Sequence, residues 1–172
     1  MKGRFLSLFL ILTLLAASLL SCKDSVAEKE FSHCELTLVL DGSFSEERSE
    51  DFDMLVTNGD IAVSLIRISF EAGFSQGISD TYTAKNFAAF FMNKSEKSDN
   101  LLMHGDVPYY TYTESISGTE PVFYTVTFYR SHHAYFVVAY AVAEKNKSKF
   151  EAKVLQYAEA AYFNDAPIIN TK

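Results

Sequence analysis

Two long runs of β-branched and aromatic residues, 122–130 (VFYTVTFYR) and 133–143 (HAYFVVAYAVA), are separated only by Ser131 and His132. Such residues favour the pleated, half-buried surface of a sheet. A two-residue corner leaves no room for the crossover that parallel strands need, so the runs predict an antiparallel pair. A third run, 107–113 (VPYYTYT), joins them through residues 114–121, which carry Gly118. The three predict an antiparallel meander rich in Tyr, Phe and Val.

The upstream sequence supplies more strands. Residues 31–40 (FSHCELTLVL) alternate, with Cys34, Leu36, Leu38 and Leu40 on one side and His33, Glu35, Thr37 and Val39 on the other. In one continuous strand Cys34 then shares the apolar face and is a small buried residue. Asp41-Gly42-Ser43 marks a turn, and residues 44–53, with Glu46, Glu47, Glu50, Asp51 and Asp53, read as an acidic loop or edge. Asn58-Gly59 separates the apolar runs 54–57 and 60–70, a strong hairpin signal. In the second run Ile61, Val63 and Leu65 face one way, and Ala62, Ile66, Ile68 and Phe70 mostly the other. Two apolar faces predict a central strand covered on both sides.

Two helices complete the pattern. Ala84, Phe87, Ala88 and Phe91 form one stripe, with Asp80 the expected N-cap and 94–100 (KSEKSDN) a polar exit. Near the end, Ser148 and Glu151 match a capping box, followed by the stripe Phe150, Val154, Tyr157, Ala158 and Ala161. Ala166-Pro167 is the expected stop. The predicted class is α+β: an antiparallel sheet of about six strands with helices packed on it.

The first 22 residues set location. Lys2 and Arg4 precede sixteen uncharged residues, 5–20, which end at Ser21 and Cys22. A basic start, an apolar run and small residues form the pattern of a secretory signal, and the run is short of the roughly 20 residues of a spanning helix. Leu19-Leu20-Ser21-Cys22 resembles the lipobox of bacterial lipoprotein signals. That resemblance implies cleavage before Cys22 and a diacylglycerol on its sulfur, with the membrane as partner and the domain outside the cytoplasm. An ordinary secretory signal or an N-terminal anchor helix are the alternatives. The expected division is 1–21 signal peptide, 22–30 lipid-anchored tether (residues 23–30 read KDSVAEKE) and 31–172 a single domain.

The mature chain is then 172 − 21 = 151 residues, enough for one domain with a substantial core. Its charge is 13 − 22 = −9, because the signal holds two of the fifteen bases and no acid. With no cluster of Lys and Arg, nucleic acid is not an expected partner. Lipidation of Cys22 leaves Cys34 without an intramolecular disulfide partner.

The order of these elements, the run PVFYTVTFYRSHHAYFVVAYAV and the closing helix SKFEAKVLQYAEAAYF together resemble the PsbP-like and DcrB-like superfamily. The resemblance covers most of residues 31–165. It implies an α/β/α sandwich around a central antiparallel sheet. Members include an extrinsic subunit of photosystem II, a Ran-binding nuclear-import factor and many bacterial lipoproteins. The superfamily has no common catalytic set, so it brings no site residue with it.

The candidate sites are few. His33, Cys34 and Glu35 cannot form one metal shell on a strand, where Cys34 points away from the other two. A zinc site needs three or four converging ligands, so His104, Asp106, His132 and His133 would serve only if the fold joined their loops. Gly73-Phe74-Ser75-Gln76-Gly77 matches the text of a nucleophile elbow, but that motif belongs between a strand and a helix of a parallel sheet. The acidic run lacks calcium-loop spacing and reads as an edge that discourages strand addition. No cofactor is implied. Aromatics on the meander, Tyr109, Tyr110, Tyr112, Phe123, Tyr124, Phe128, Tyr129, Tyr135, Phe136 and Tyr140, are expected mostly in the core, and any exposed patch would be a binding surface. The sequence thus points to a membrane-anchored, non-enzymatic binding or accessory module. An envelope hydrolase using Ser75 with a histidine base is the alternative.

Overall fold

The computed structural model describes residues 27–98, 100–115 and 118–164. Cys22 and the signal segment, and the expected stop at Ala166-Pro167, lie outside the described residues. The expected meander forms β7 (Val107–Glu114), β8 (Val122–Arg130) and β9 (Ala134–Ala143), paired antiparallel. They belong to a seven-stranded sheet ordered β3-β4-β5-β9-β8-β7-β6, with β3 at Ser45–Glu47, β4 at Met54–Thr57, β5 at Ile61–Ser69 and β6 at Leu102–His104. A second sheet, ordered β1-β2-β10, uses β1 (Glu28–His33), β2 (Leu36–Asp41) and β10 (Tyr162–Phe163). The class is α+β, as expected, but the described residues hold more than six strands. The additions are short edge pieces and a split of the first strand.

The alternation of side chains explains the layers. From β9, Phe136, Val138, Tyr140 and Val142 join one core and Tyr135, Val137, Ala139 and Ala141 the other. From β5, Ile61, Val63 and Leu65 join the first and Ala62 and Ile68 the second, the two-faced strand the sequence predicted. The first core is roofed by the small sheet and by α3 (Lys147–Ala160), through Leu36, Leu38, Leu40, Phe150, Val154 and Tyr157. The second is roofed by α2 (Ala84–Ser95), through Phe87, Ala88 and Met92. Both outer strands of the large sheet, β3 and β6, are three residues long, which limits addition of a further strand. Glu46 on β3 is exposed, in keeping with the acidic edge read from the sequence.

Three local expectations fail for physical reasons. First, 31–40 is not one strand. Cys34 and Glu35 form a two-residue turn, with His33 opposite Leu36, and β1 takes in Glu28, Lys29 and Glu30, which had read as tether. Cys34 is therefore exposed rather than buried. Nothing in its residue type signals a turn. Tertiary contacts fix it, because Asn164 N donates to Glu35 O at 2.8 Å and Arg67 grips the Glu35 side chain.

Second, α2 is capped by Thr83 rather than Asp80. Thr83 Oγ1 accepts from Asn86 N at 3.1 Å, and Asn86 Oδ1 accepts from Thr83 N at 3.3 Å. Residues 79–82 are held in a turn because the buried Tyr135 hydroxyl points at the carbonyls of Ser79 (2.7 Å) and Tyr82 (2.8 Å). Between β5 and this turn lies a short helix, α1 (Phe70–Phe74). Third, α3 is entered from β9 through a single 3₁₀ turn, Glu144–Asn146. Ser148 is already inside the helix and caps nothing.

Cys34 has φ +51°, the left-handed region. That conformation costs a side-chain-bearing residue about 1–2 kcal/mol, of which glycine's greater unfolded freedom cancels about 0.5–1. Cys34→Gly should therefore raise stability by up to about 1 kcal/mol in denaturant titration. Cys34→Val should lower it, since a branched Cβ fits this region worst.

Candidate functional site

A group of interlocked charged side chains lies at the end of the sandwich where β1 turns into β2. Arg67 comes from the end of β5, opposite Phe136. Its Nε reaches Glu35 Oε2 at 3.1 Å and its Nη2 reaches Oε1 at 3.2 Å, a two-pronged ion pair. The Arg67 backbone N donates to Asp53 Oδ2 at 2.6 Å, which ties the acidic loop to the same strand. Phe163 of β10 packs on Phe136 with ring centres 5.9 Å apart. Cys34 caps the group from the exposed tip of the turn.

Partial burial alone would raise the Glu35 carboxyl. The hydrogen bonds from Arg67 and from its own backbone, with the charges of Arg67 and His133, outweigh burial and hold it below the usual carboxylate range. A carboxyl lowered in the folded state stabilises above its unfolded value, and that stability is lost as pH falls through the folded value. Glu35→Gln should thus cost about 1 kcal/mol at neutral pH, at the upper end for a partly exposed pair. The gap between wild type and variant should close as pH drops below the ordinary value of 4.5. Unfolding midpoints across pH check this. A gap unchanged at acid pH would mean that the ion pair contributes nothing.

This arrangement is a clasp. Glu35 and Arg67 are committed to each other, so neither is a free acid or base. Strand alternation places Glu35 beside His33 on one exposed face, so the sequence alone does not show the pair. The available signal was Arg67 itself, the one charge within the apolar β5.

The other candidates are dispersed. Ser75 follows α1, is exposed, and donates from its hydroxyl to Ala72 O at 2.9 Å. His104 ends β6 and faces Glu159 of α3 at 3.4 Å. His132 and His133 sit at the β8–β9 corner, both exposed, with ring centres 6.5 Å apart. Among the described residues, no three His, Cys, Asp or Glu side chains converge as metal ligands would. Asp106 stays in the β6–β7 turn, away from any such set.

Eight of the ten meander aromatics are buried, and Tyr109 and Tyr112 are half-buried. Tyr112 and Tyr124 stack at 4.8 Å, and Phe87 stacks on Tyr135 at 4.4 Å. Burial pushes the Tyr124 and Tyr129 phenols up to about 12, so both stay neutral near pH 7. The Tyr129 hydroxyl then serves as a donor to Ala158 O at 2.8 Å, fastening α3 to the sheet. Among the described residues, the exposed large apolar side chains come from elsewhere: Phe74 at 58% exposure, Met103, Tyr162 and Phe163. Each sits in a short element that the periodicity had not resolved.

No protein-family model matches the chain, and no curated protein matches it in sequence. Among solved structures it is similar to cyanobacterial PsbP (CyanoP) from Synechocystis sp. PCC 6803, with a TM-score of 0.51 and 11% identity over 87% of this chain and 99% of that one. It is also similar to a protein from Bacteroides thetaiotaomicron VPI-5482, with a TM-score of 0.54 and 12% identity over 80% of this chain. The match covers 48% of the Bacteroides protein, so this chain spans about half of its length. The fold is therefore PsbP-like, in line with the resemblance read from element order.

Proposed function

We propose that the chain is a bacterial lipoprotein, anchored outside the cytoplasm through lipid on Cys22, and that its PsbP-like domain is a non-enzymatic accessory module that binds another envelope protein. The likeness to CyanoP along almost the whole of that protein is the observation that most supports a binding rather than a catalytic role. The site geometry agrees with it. A hydrolase needs a nucleophile within hydrogen-bond reach of a base that a third group orients. Ser75 instead gives its hydroxyl to a backbone carbonyl at an exposed helix end.

Crosslinking of the anchored protein in living cells, followed by identification of what it holds, tests the proposal. One reproducible protein partner is the expected result. Turnover of an ester or peptide substrate that disappears in Ser75→Ala would overturn it.

A further inference from the structure

We infer that the domain faces the bilayer surface with the end at which β1 enters, and holds the end bearing Cys34 and the β8–β9 corner away from it. This rests on the reading of Cys22 as the lipid attachment point. The two ends are distinguished by register. Gly42 N donates to Ala27 O at 2.6 Å, so the chain enters the domain beside the Asp41-Gly42 turn. Glu28 lies opposite Asp41 and His33 opposite Leu36, so β1 runs from this entry end toward the Cys34 turn.

The large sheet is oriented the same way. Asn58 Nδ2 donates to Ser43 Oγ at 3.4 Å, and Lys149 Nζ lies 3.7 Å from Asp60, which places the β4–β5 turn and the start of α3 at the entry end. At the other end the Arg67–Glu35 clasp joins the Cys34 turn to the end of β5, which lies opposite Ala134 at the β8–β9 corner.

Reach and charge then select the posture. Five residue steps separate Cys22 from Ala27, at most about 18 Å of chain. The ten-residue β9 is about 30 Å long, so an upright domain carries its corner well beyond the anchor's reach. At the entry end Lys29, Lys145, Lys147, Lys149 and Lys153 are interspersed with Glu28, Asp41, Asp60, Glu120 and Glu144, so that end is close to neutral. The exposed acids of the 48–53 loop lie toward the other end, where Asp53 is tied to Arg67. A domain of net charge −9 lying flat would bring those acids to a surface that repels them.

The native thiol makes the test direct. The lipidated protein is reconstituted into phosphatidylethanolamine–phosphatidylglycerol vesicles carrying a nickel-chelating headgroup lipid as a short-range quencher. One sample is labelled at Cys34. A second carries Ser43→Cys with Cys34→Ser, and circular dichroism checks its fold. The expected result is quenching several-fold stronger at position 43 than at position 34. Equal quenching, or stronger quenching at Cys34, from protein that floats with the vesicles would overturn the orientation. Protein that does not float with the vesicles would overturn the anchor reading instead.

Discussion

Phe87→Ala is expected to cost about 3–5 kcal/mol, the range for truncating a buried aromatic. Phe87 is fully buried beneath α2 and touches three rings: Tyr135 at 4.4 Å, Phe128 at 5.7 Å and Phe91 at 6.0 Å. It is the aromatic that α2 drives deepest into the second core, and the cavity left behind is walled by rigid rings that collapse poorly. A loss of that size is a large part of a typical domain stability of 5–15 kcal/mol. The measurement is the denaturant midpoint at unchanged slope. Phe150→Ala, on α3, provides the companion, because Phe150 belongs to the opposite core. Two sites separated by a sheet share no partners, so the double variant should equal the sum of the singles within about 0.5 kcal/mol. A midpoint unchanged by Phe150→Ala would show that α3 is not docked as described, and strong non-additivity would show that the two cores are not independent.

The elements legible in the sequence were those whose pattern is local and long. The β8–β9 pair is read from its own residues because each strand is covered on both faces and joined by a short corner. The Asn58-Gly59 hairpin and the α3 stripe follow from turn chemistry and a 3.6-residue period. The Cys34 turn was not legible, because Asn164 and Arg67, distant in sequence, impose it on a run that alternates like a single strand. Thr83 lost to Asp80 as the expected cap for a similar reason, since the hydroxyl of Tyr135 holds the intervening turn. The exposed aromatics carry no sequence signal, because β10 and α1 are too short to have a period. Of the candidate groups, the Arg67–Glu35 clasp required the fold to be seen.

Cys22→Ala carries the largest expected functional effect. A diacylglycerol adds two acyl chains, at about 0.8 kcal/mol for each buried CH₂, and two chains anchor stably where a single one does not. On the proposed anchoring, losing the thiol removes the attachment chemistry, so the variant should leave the membrane fraction almost completely while the domain remains folded. The net charge of −9 expected for the proposed mature chain would offer no electrostatic substitute for a lipid. The most direct measurement is the intact mass of wild-type protein extracted from membranes. The account predicts a chain beginning at Cys22 and carrying added acyl mass. A membrane-bound chain that retains residues 1–21, or one that begins elsewhere without lipid, would contradict it.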